Sequence, residues 1–472
     1  MTERNGIQYE EEEPFFDSVD GVQSTTVIAD AELLADIQEL IYTDSHAALL
    51  NILTDLHSAD IASIINELPH SEARFLFELL PPDHASEVLL DLHENVREDL
   101  FEELTAQRLS EIVDELDSDD AVDIVAEMDD AVAEQVLGKL EPEDSAELRE
   151  LLAFDEETAG GLMGTEFPVV QLSGTVADAI NAVRQTAEDT HDIYEVYVVD
   201  EDGVMRGIVD LKSLLLVKPE TPVADIHDTE IISVQTDVDQ EDVANVMRKY
   251  DLLTLPVVDR EHHPVGIITF DDIADVIHEE AQEDIQRMSG IVEDIDTSSS
   301  VFDIFRGRLP WLVVGFAGEL LAALVLSHFE WQLSIVIAAA FFIPIIMAMG
   351  GNAGIQASSI VVRGLATGEL ALSSTGRRLL REFLASMLNG GILSIVLFVI
   401  VYFWMGDLYF GITVSLSLLV VMINATLVGA TVPLMLDRMN VDPALATGPF
   451  ITTSNDALGL LIYLLFLTFI YL

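Results

Sequence analysis

The sequence contains no cysteine, so disulfide bridges, thiolate metal sites and cysteine nucleophiles are all excluded. Basic residues are scarce: 21 Lys and Arg stand against 84 Asp and Glu in 472 residues. A chain this acidic would repel phosphate groups, which excludes nucleic acid as a partner. The N-terminus is acidic and lacks an early apolar segment, so we expect no cleaved signal peptide.

The acidic excess is confined to the first part of the chain. Residues 301–472 hold nine Asp/Glu and seven Lys/Arg, a net charge of −2, so the first 300 residues carry −61. A surface adapted to a high-salt cytoplasm is one explanation, and divalent-cation binding is the other. We expect both, with only particular clusters acting as specific sites.

Residues 1–27, with four consecutive glutamates at 10–13, are typical of a disordered acidic tail. Residues 28–160 follow as short amphipathic helices with a weak repeat of about 12 or 24 residues, which predicts a solenoid-like α-helical domain. The repeat places acidic residues at equivalent helical positions, namely Glu87, Glu111, Asp123 and Glu147. Each has a solvated helix face as its alternative interpretation. Asp119 and Asp123, at positions i and i+4 on one face, are the better cation candidates.

Residues 161–278 contain a clearer duplication. The segment Val198-Val-Asp to Leu214 matches Val257-Val-Asp to Ile273 at an offset of 59, and the helices before them match at 63. Each unit has the order helix, strand, turn, strand, helix. This pattern resembles a tandem pair of CBS domains, which are regulatory modules that bind adenine nucleotides or ions.

The second unit continues into a predicted connecting helix over 279–305. Acidic residues recur at helical spacing from the end of the second unit into this helix, so like charges crowd neighbouring turns. They are Asp272, Asp275, Glu279, Glu280, Glu283 and Asp284. A divalent ion would relieve this repulsion, and molar potassium would do the same without a specific site.

From residue 309 onward, five apolar segments are each long enough to cross a membrane. They cover 309–329, 332–362, 383–405, 411–436 and 445–472. We expect Pro344 and the run Gly350-Gly-Asn-Ala-Gly-Ile-Gln356 to break the second helix, where irregular backbone would line a cavity. All seven basic residues fall on one side of a five-span arrangement. The positive-inside rule therefore predicts a cytoplasmic N-terminus and an external C-terminus.

Asp456 lies within the last apolar segment, immediately after the polar run 452–455. A carboxylate at bilayer depth costs at least about 2.5 kcal/mol, so it normally faces water, an ion or a partner group. Its alternative role is a helix cap in the headgroup region. Asp456 follows Gly448 by roughly 12 Å of helix, which is deep for such a cap. We therefore predict a cation pathway at Asp456.

In this order, the domains resemble the MgtE family of magnesium channels. The resemblance is carried by Pro344, Gly350 to Gln356, Arg363-Gly-Leu-Ala-Thr367, Val441-Asp-Pro-Ala-Leu445 and Thr453 to Tyr463. It implies a cytoplasmic α-helical superhelix and an α/β CBS pair, joined by a long helix to a five-span all-α transmembrane domain at 306–472. It also implies a homodimer in the cell membrane, with Asp456 of each subunit holding hydrated Mg²⁺, and makes ATP a candidate ligand of the CBS pair.

The same resemblance implies regulatory Mg²⁺ sites that hold the pore closed. The matching residues are Glu87, Asp119 and Asp123 in the helical domain; Asp239, Glu241, Asp251, Asp272 and Asp275 in the CBS pair; Glu280, Glu283 and Asp284 on the connecting helix; and Asp442 before the last span. Bound ions would screen facing carboxylates and favour the compact closed state.

Two departures from the family pattern are visible. Family members often have Asn where this chain has Ile355 and Gly448, so we expect fewer hydrogen bonds along the pore. Glu319 lies in the first span, either as a packing or lipid-edge residue or as a second carboxylate near the pathway.

Two other functions remain open. One is a channel for another divalent cation such as Co²⁺ or Mn²⁺, although the absence of His and Cys from the pore candidates favours a hard cation. The other is a membrane-anchored CBS sensor that transports nothing. No sequence motif in the spans indicates an enzyme.

Overall fold

A computed structural model describes residues 31–43, 45–54, 56–187, 190, 193–291, 301–366, 370, 375–439, 441–446 and 448–472. The predicted acidic tail, Thr367 and residues 292–300 of the predicted connecting helix lie outside the described residues. The chain forms two compact units, Met1–Ile273 and Ala274–Leu472.

Among its described residues, the first unit begins with ten short helices, which confirms the predicted helical superhelix. Pro82 and Pro142 stand in the first turns of two of them. Proline is tolerated there because the backbone N–H that it lacks would have no carbonyl partner within the helix. Odd-numbered helices α3, α5, α7 and α9 pack in succession. The bounds are α1 Ala31–Tyr42, α2 His46–Leu53, α3 Ser58–Glu67, α4 His70–Glu78, α5 Pro82–Leu90, α6 Glu94–Glu103, α7 Ala106–Val113, α8 Ser118–Ala126, α9 Asp130–Leu137 and α10 Pro142–Leu151.

Two three-stranded sheets follow and confirm the duplication. Each has a parallel pair and an antiparallel pair, in the orders β1-β2-β3 and β4-β5-β6. The bulges at Val198/Val199 and Val257/Val258 lie 59 positions apart, at the offset found in the sequence. The bounds are β1 Val169–Gln171, α11 Val176–Thr186, β2 Glu195–Val199, β3 Met205–Asp210, α12 Leu211–Leu216, β4 Val234–Gln235, α13 Gln240–Tyr250, β5 Thr254–Val258, β6 Pro264–Thr269 and α14 Phe270–Met288.

Within its described residues, the second unit holds five helices long and apolar enough to cross a membrane. These spans cover Ile304–His328, Ile337–Ala366, Thr375–Met405, Leu408–Asp437 and Phe450–Tyr471. The fourth span packs against the second, third and fifth, and the first packs against the fifth. The helix bounds are α15 Val301–His328, α16 Glu330–Ile335, α17 Ile343–Ala366, α18 Thr375–Met405, α19 Leu408–Asp437 and α20 Pro449–Phe466.

The expected break at Gly350 to Gln356 is wrong. Helix α17 is continuous through this run, and the irregular backbone lies earlier, in a 3₁₀ turn over Ile337–Phe342. The glycines serve close helix packing instead: a Cβ on Gly350 would lie 2.4 Å from Asn455 Oδ1, and one on Gly354 would lie 2.7 Å from Ile451. Helix α20 therefore approaches α17 along its glycine face.

Candidate cation pathway and acidic clusters

Asp456 lies two turns into α20 and is half-buried. The preceding residue, Asn455, is 3% exposed, and its Nδ2 donates a hydrogen bond to the carbonyl of Met347, 3.1 Å away. Asn455 thereby links α20 to α17, whereas the side chain of Asp456 faces α15. The carboxyl group of Asp456 lies next to that of Glu319 on α15.

A first acidic cluster, called here the Asp119 cluster, lies in the first unit. It consists of Asp119, Asp120, Glu166 and Asp272, which come from α8, the segment before β1, and α14. Asp119 Oδ2 lies beside Gly164, whose backbone exchanges two 2.9 Å hydrogen bonds with Ile267 of β6. This pairing brings the acidic end of α8 close to the second CBS unit.

Burial and like charge act in the same direction in the Asp119 cluster. Burial, followed by the charges of Asp272 and Asp120, raises the pKa of Asp119 well above its ordinary value. Burial and then Asp272 raise the pKa of Asp120 to about 7. Burial also raises the pKa of Glu166, although Ser118 donates a hydrogen bond to it through Oγ at 2.8 Å. Near neutral pH, binding of a proton or a cation would therefore stabilise this cluster.

A second group, called here the Asp442 cluster, lies in the second unit. It joins the end of α14 to the turn before α20 and contains Glu280, Glu283, Asp284, Asp442 and one base, Arg287. Arg287 pairs with Glu283 on its own helix, and its Nη1 lies 2.8 Å from Asp442 Oδ2. Burial, then the charges of Asp442 and Glu280, raise the pKa of Asp284 to about 6.

The structure does not gather the remaining candidate residues into one site with these clusters. Glu87 is exposed on α5. Asp123 is exposed on α8, and its charge contributes to the raised pKa of Asp120. Asp239 and Asp251 stand at opposite ends of α13, about 18 Å apart along the helix. Asp239 caps that helix by accepting a hydrogen bond from Glu241 N. Asp275 precedes Asp284 by nine residues, or about 13 Å along α14.

The sequence reasoning missed Asp120, Glu166 and Arg287. Asp120 adjoins a residue that was chosen, and Arg287 follows Glu283 at i+4, so both had a local signal. Glu166 had none, because its burial depends on contacts with Ser118, 48 residues earlier. Within the described part of the chain, no three His, Asp or Glu side chains are placed so that they could hold a metal ion.

Comparisons with known proteins agree on one family. Family models described as "Divalent cation transporter", "MgtE intracellular N domain" and "CBS domain" match residues 343–466, 56–157, and 159–220 with 223–279. A protein named magnesium transporter MgtE from Thermus thermophilus is 37% identical over 92% of this chain and 97% of its own. One of the same name from Enterococcus faecalis is 36% identical over 68% of this chain and 71% of its own. These relatives are named as transporters rather than enzymes.

A solved structure extends the similarity to the cytosolic fold. It is described as the cytosolic domain of the Mg²⁺ channel MgtE in complex with ATP, and it is 36% identical with a TM-score of 0.50. The match covers 52% of this chain and 99% of that one. The order of domains, the five apolar helices and these relatives lead to one conclusion: the chain belongs to the MgtE family of divalent cation transporters.

Proposed function

We propose that this protein is a homodimeric, Mg²⁺-selective channel of the cell membrane, closed by Mg²⁺ bound to its cytosolic part. One observation carries the proposal: α20 places the carboxylate of Asp456 inside an apolar span, against a second acidic side chain. Charge at that depth normally faces an ion or a watery path. A helix that only anchors the protein in lipid or mediates dimerisation does not need a charge at that depth.

The chemistry of the site favours a hard cation. Mg²⁺ prefers octahedral oxygen ligands and releases its water reluctantly. Carboxylates that accept hydrogen bonds from its bound water can therefore select it without dehydrating it. The relatives named as magnesium transporters support the same ion.

The test of the pathway is Mg²⁺ flux into proteoliposomes containing the full chain and a Mg²⁺-sensitive dye. We expect Asp456→Asn, which keeps the shape of the side chain and removes its charge, to reduce flux at least a hundredfold. Asp437→Asn makes the same chemical change at the last residue of α19, and we expect it to conduct normally. Normal flux through Asp456→Asn would reject the pathway. Faster wild-type flux of Co²⁺ or Mn²⁺ than of Mg²⁺ would assign another divalent cation.

For the gate, we propose that Mg²⁺ replaces the protons or potassium that otherwise screen the acidic clusters. In the first unit, the proposed regulatory residues are Asp119, Asp272, Glu87, Asp123, Asp239, Glu241 and Asp251. In the second unit they are Asp275, Glu280, Glu283, Asp284 and Asp442. Screening lowers the repulsion between these carboxylates and would stabilise a compact, closed state.

Three further parts of the proposal have separate support. The basic residues at the span ends favour a cytoplasmic N-terminus and an external C-terminus. Exposed apolar side chains along α15 are suited to lipid or a second subunit. The similar cytosolic domain that was solved with ATP makes ATP the candidate ligand of the CBS pair.

A further inference from the structure

Glu319 is an acidic residue on an apolar helix face. It lies 15 residues into the first span and nine before its end, and its side chain is exposed on the single chain. Its neighbours Phe316 and Leu320 are 66% and 52% exposed. An ionised carboxyl group among such side chains at bilayer depth needs a partner, an ion or water.

The packing of α15 on α20 gives Glu319 a partner. A Cβ on Gly318 would lie 1.6 Å from Thr453 Cγ2, so only glycine allows the two helices to approach this closely. Asp456 is one turn beyond Thr453 and therefore lies on the same face of α20. This register brings the carboxyl groups of Glu319 and Asp456 next to each other.

Among the described residues, no Lys or Arg lies near the middle of the elements that pack against α15 and α20. Within the described chain, α17 contributes Arg363 in its last turn, α19 contributes Asp437 at its last residue, and α16 contributes Glu330 at its first. Asp442 lies in the turn before α20 and pairs with Arg287. The hydroxyl of Tyr463 donates to the carbonyl of Ala339, and that of Tyr471 donates to Asp407.

The other acidic residue well inside a span shows the contrast. Glu382 on α18 is paired with Arg378 one turn earlier, so its charge is balanced within the helix. Glu319 and Asp456 instead meet each other. Two carboxylates close together in a medium of low dielectric constant repel strongly, and a cation beside them would relieve that repulsion.

We propose that Glu319 is a second selectivity-determining carboxylate of the cation pathway, and that it attracts a divalent cation together with Asp456. The inference rests on the proposed function, since it assigns a further residue to the same pathway. When the divalent cation binds, both carboxylates attract it. Two negative charges then face two positive ones, a match that a monovalent cation does not provide.

The test is Mg²⁺ flux through the full chain in proteoliposomes at pH 7.5. We expect Glu319→Gln to raise the Mg²⁺ concentration for half-maximal flux on the order of tenfold and to change the maximal flux much less, because one attracting charge is lost. Glu319→Asp should restore part of the wild-type behaviour.

Glu330→Gln is the matched control, since it makes the same change just beyond the same span. Only a difference in half-maximal Mg²⁺ concentration between Glu319→Gln and Glu330→Gln counts. Identical half-maximal concentrations in these two variants, with Asp456→Asn inactive, would overturn the role of Glu319 and leave the pathway intact. Active Asp456→Asn would overturn the pathway itself. If Glu319→Gln elutes as aggregate in detergent, Glu319→Ala takes its place, and a wild-type half-maximal concentration in that variant would refute the proposal.

Discussion

The Asp119 cluster consists of carboxyl groups, whereas the Asp442 cluster holds a guanidinium among its carboxylates. In the first, the neighbouring charges that raise the pKa of Asp120 are all acidic. In the second, Arg287 joins α14 to the turn before α20 through Glu283 and Asp442. The comparison teaches that acid-rich composition alone does not define a cation sensor. In a cluster that contains a basic side chain, that side chain already reduces the repulsion between the carboxylates. In a cluster of carboxyl groups, ions from solution are needed to reduce it.

The largest effect is expected from neutralising the Asp119 cluster. In the full chain in detergent at pH 7.5 with a chelator, we expect Asp119→Asn with Asp120→Asn to stabilise α8 by about 2 kcal/mol. The reason is that two partly buried charges that repel Asp272 are removed. Hydrogen exchange of amides 118–126 should slow about thirtyfold, as measured by mass spectrometry.

Mg²⁺ should slow the same amides in the wild type and leave the double variant unchanged. Asp36→Asn, an exposed change on α1, is the control and should respond to Mg²⁺ as the wild type does. A double variant that exchanges faster than the wild type would show that these carboxylates stabilise α8. The Asp119 cluster would then not be a site of stored repulsion.

Local sequence patterns predicted most of the fold. The CBS duplication was visible because strand, turn and strand recur at a fixed offset, and the bulges at Val198 and Val257 follow it. The five spans were visible because their length and apolar composition are properties of contiguous residues. The continuous helix α17 was not predicted. Its glycines are weak helix formers by themselves, and packing against Asn455 and Ile451 outweighs that preference.

The candidate sites were less predictable, because they depend on contacts between distant residues. Arg287 and Asp442 are 155 positions apart, and nothing in either local sequence indicates that they pair. Asp239 and Asp251 looked alike as acids near one helix, but that helix separates them. Asp456 is the opposite case: one acid in an apolar run is a local anomaly, and sequence alone identifies it.

A smaller effect is expected from removing the internal cation of the Asp442 cluster. Arg287→Gln keeps a hydrogen-bonding side chain and removes the charge between Glu283 and Asp442, which are both partly buried. We expect a loss of about 1.5 kcal/mol at the end of α14, seen as roughly tenfold faster exchange of amides 280–288. Mg²⁺ should reverse this loss, which would make the Asp442 cluster behave like the Asp119 cluster.

Arg260→Gln, a change at an exposed position after β5, is the control for the loss of one positive charge. If Arg287→Gln and Arg260→Gln exchange alike at 280–288, the ion pair does not hold α14. The contrast between the two clusters would then lose its physical basis.

The smallest effect, about 1 kcal/mol, is a difference in pH window between the clusters. The folded pKa of Asp120 is about 7, and the ordinary value is 3.8, so the folded state takes up a proton as pH falls through 7. The unfolded state takes it up only near 4, so stability around α8 rises between about pH 7 and pH 4. For Asp284, with a folded pKa of about 6, the rise in stability begins one pH unit lower.

Lowering the pH from 8 to 6.5 without divalent cations should therefore protect amides 118–126 more than 280–288, after correction for intrinsic exchange. Equal protection of both segments would mean that Arg287 does not distinguish them.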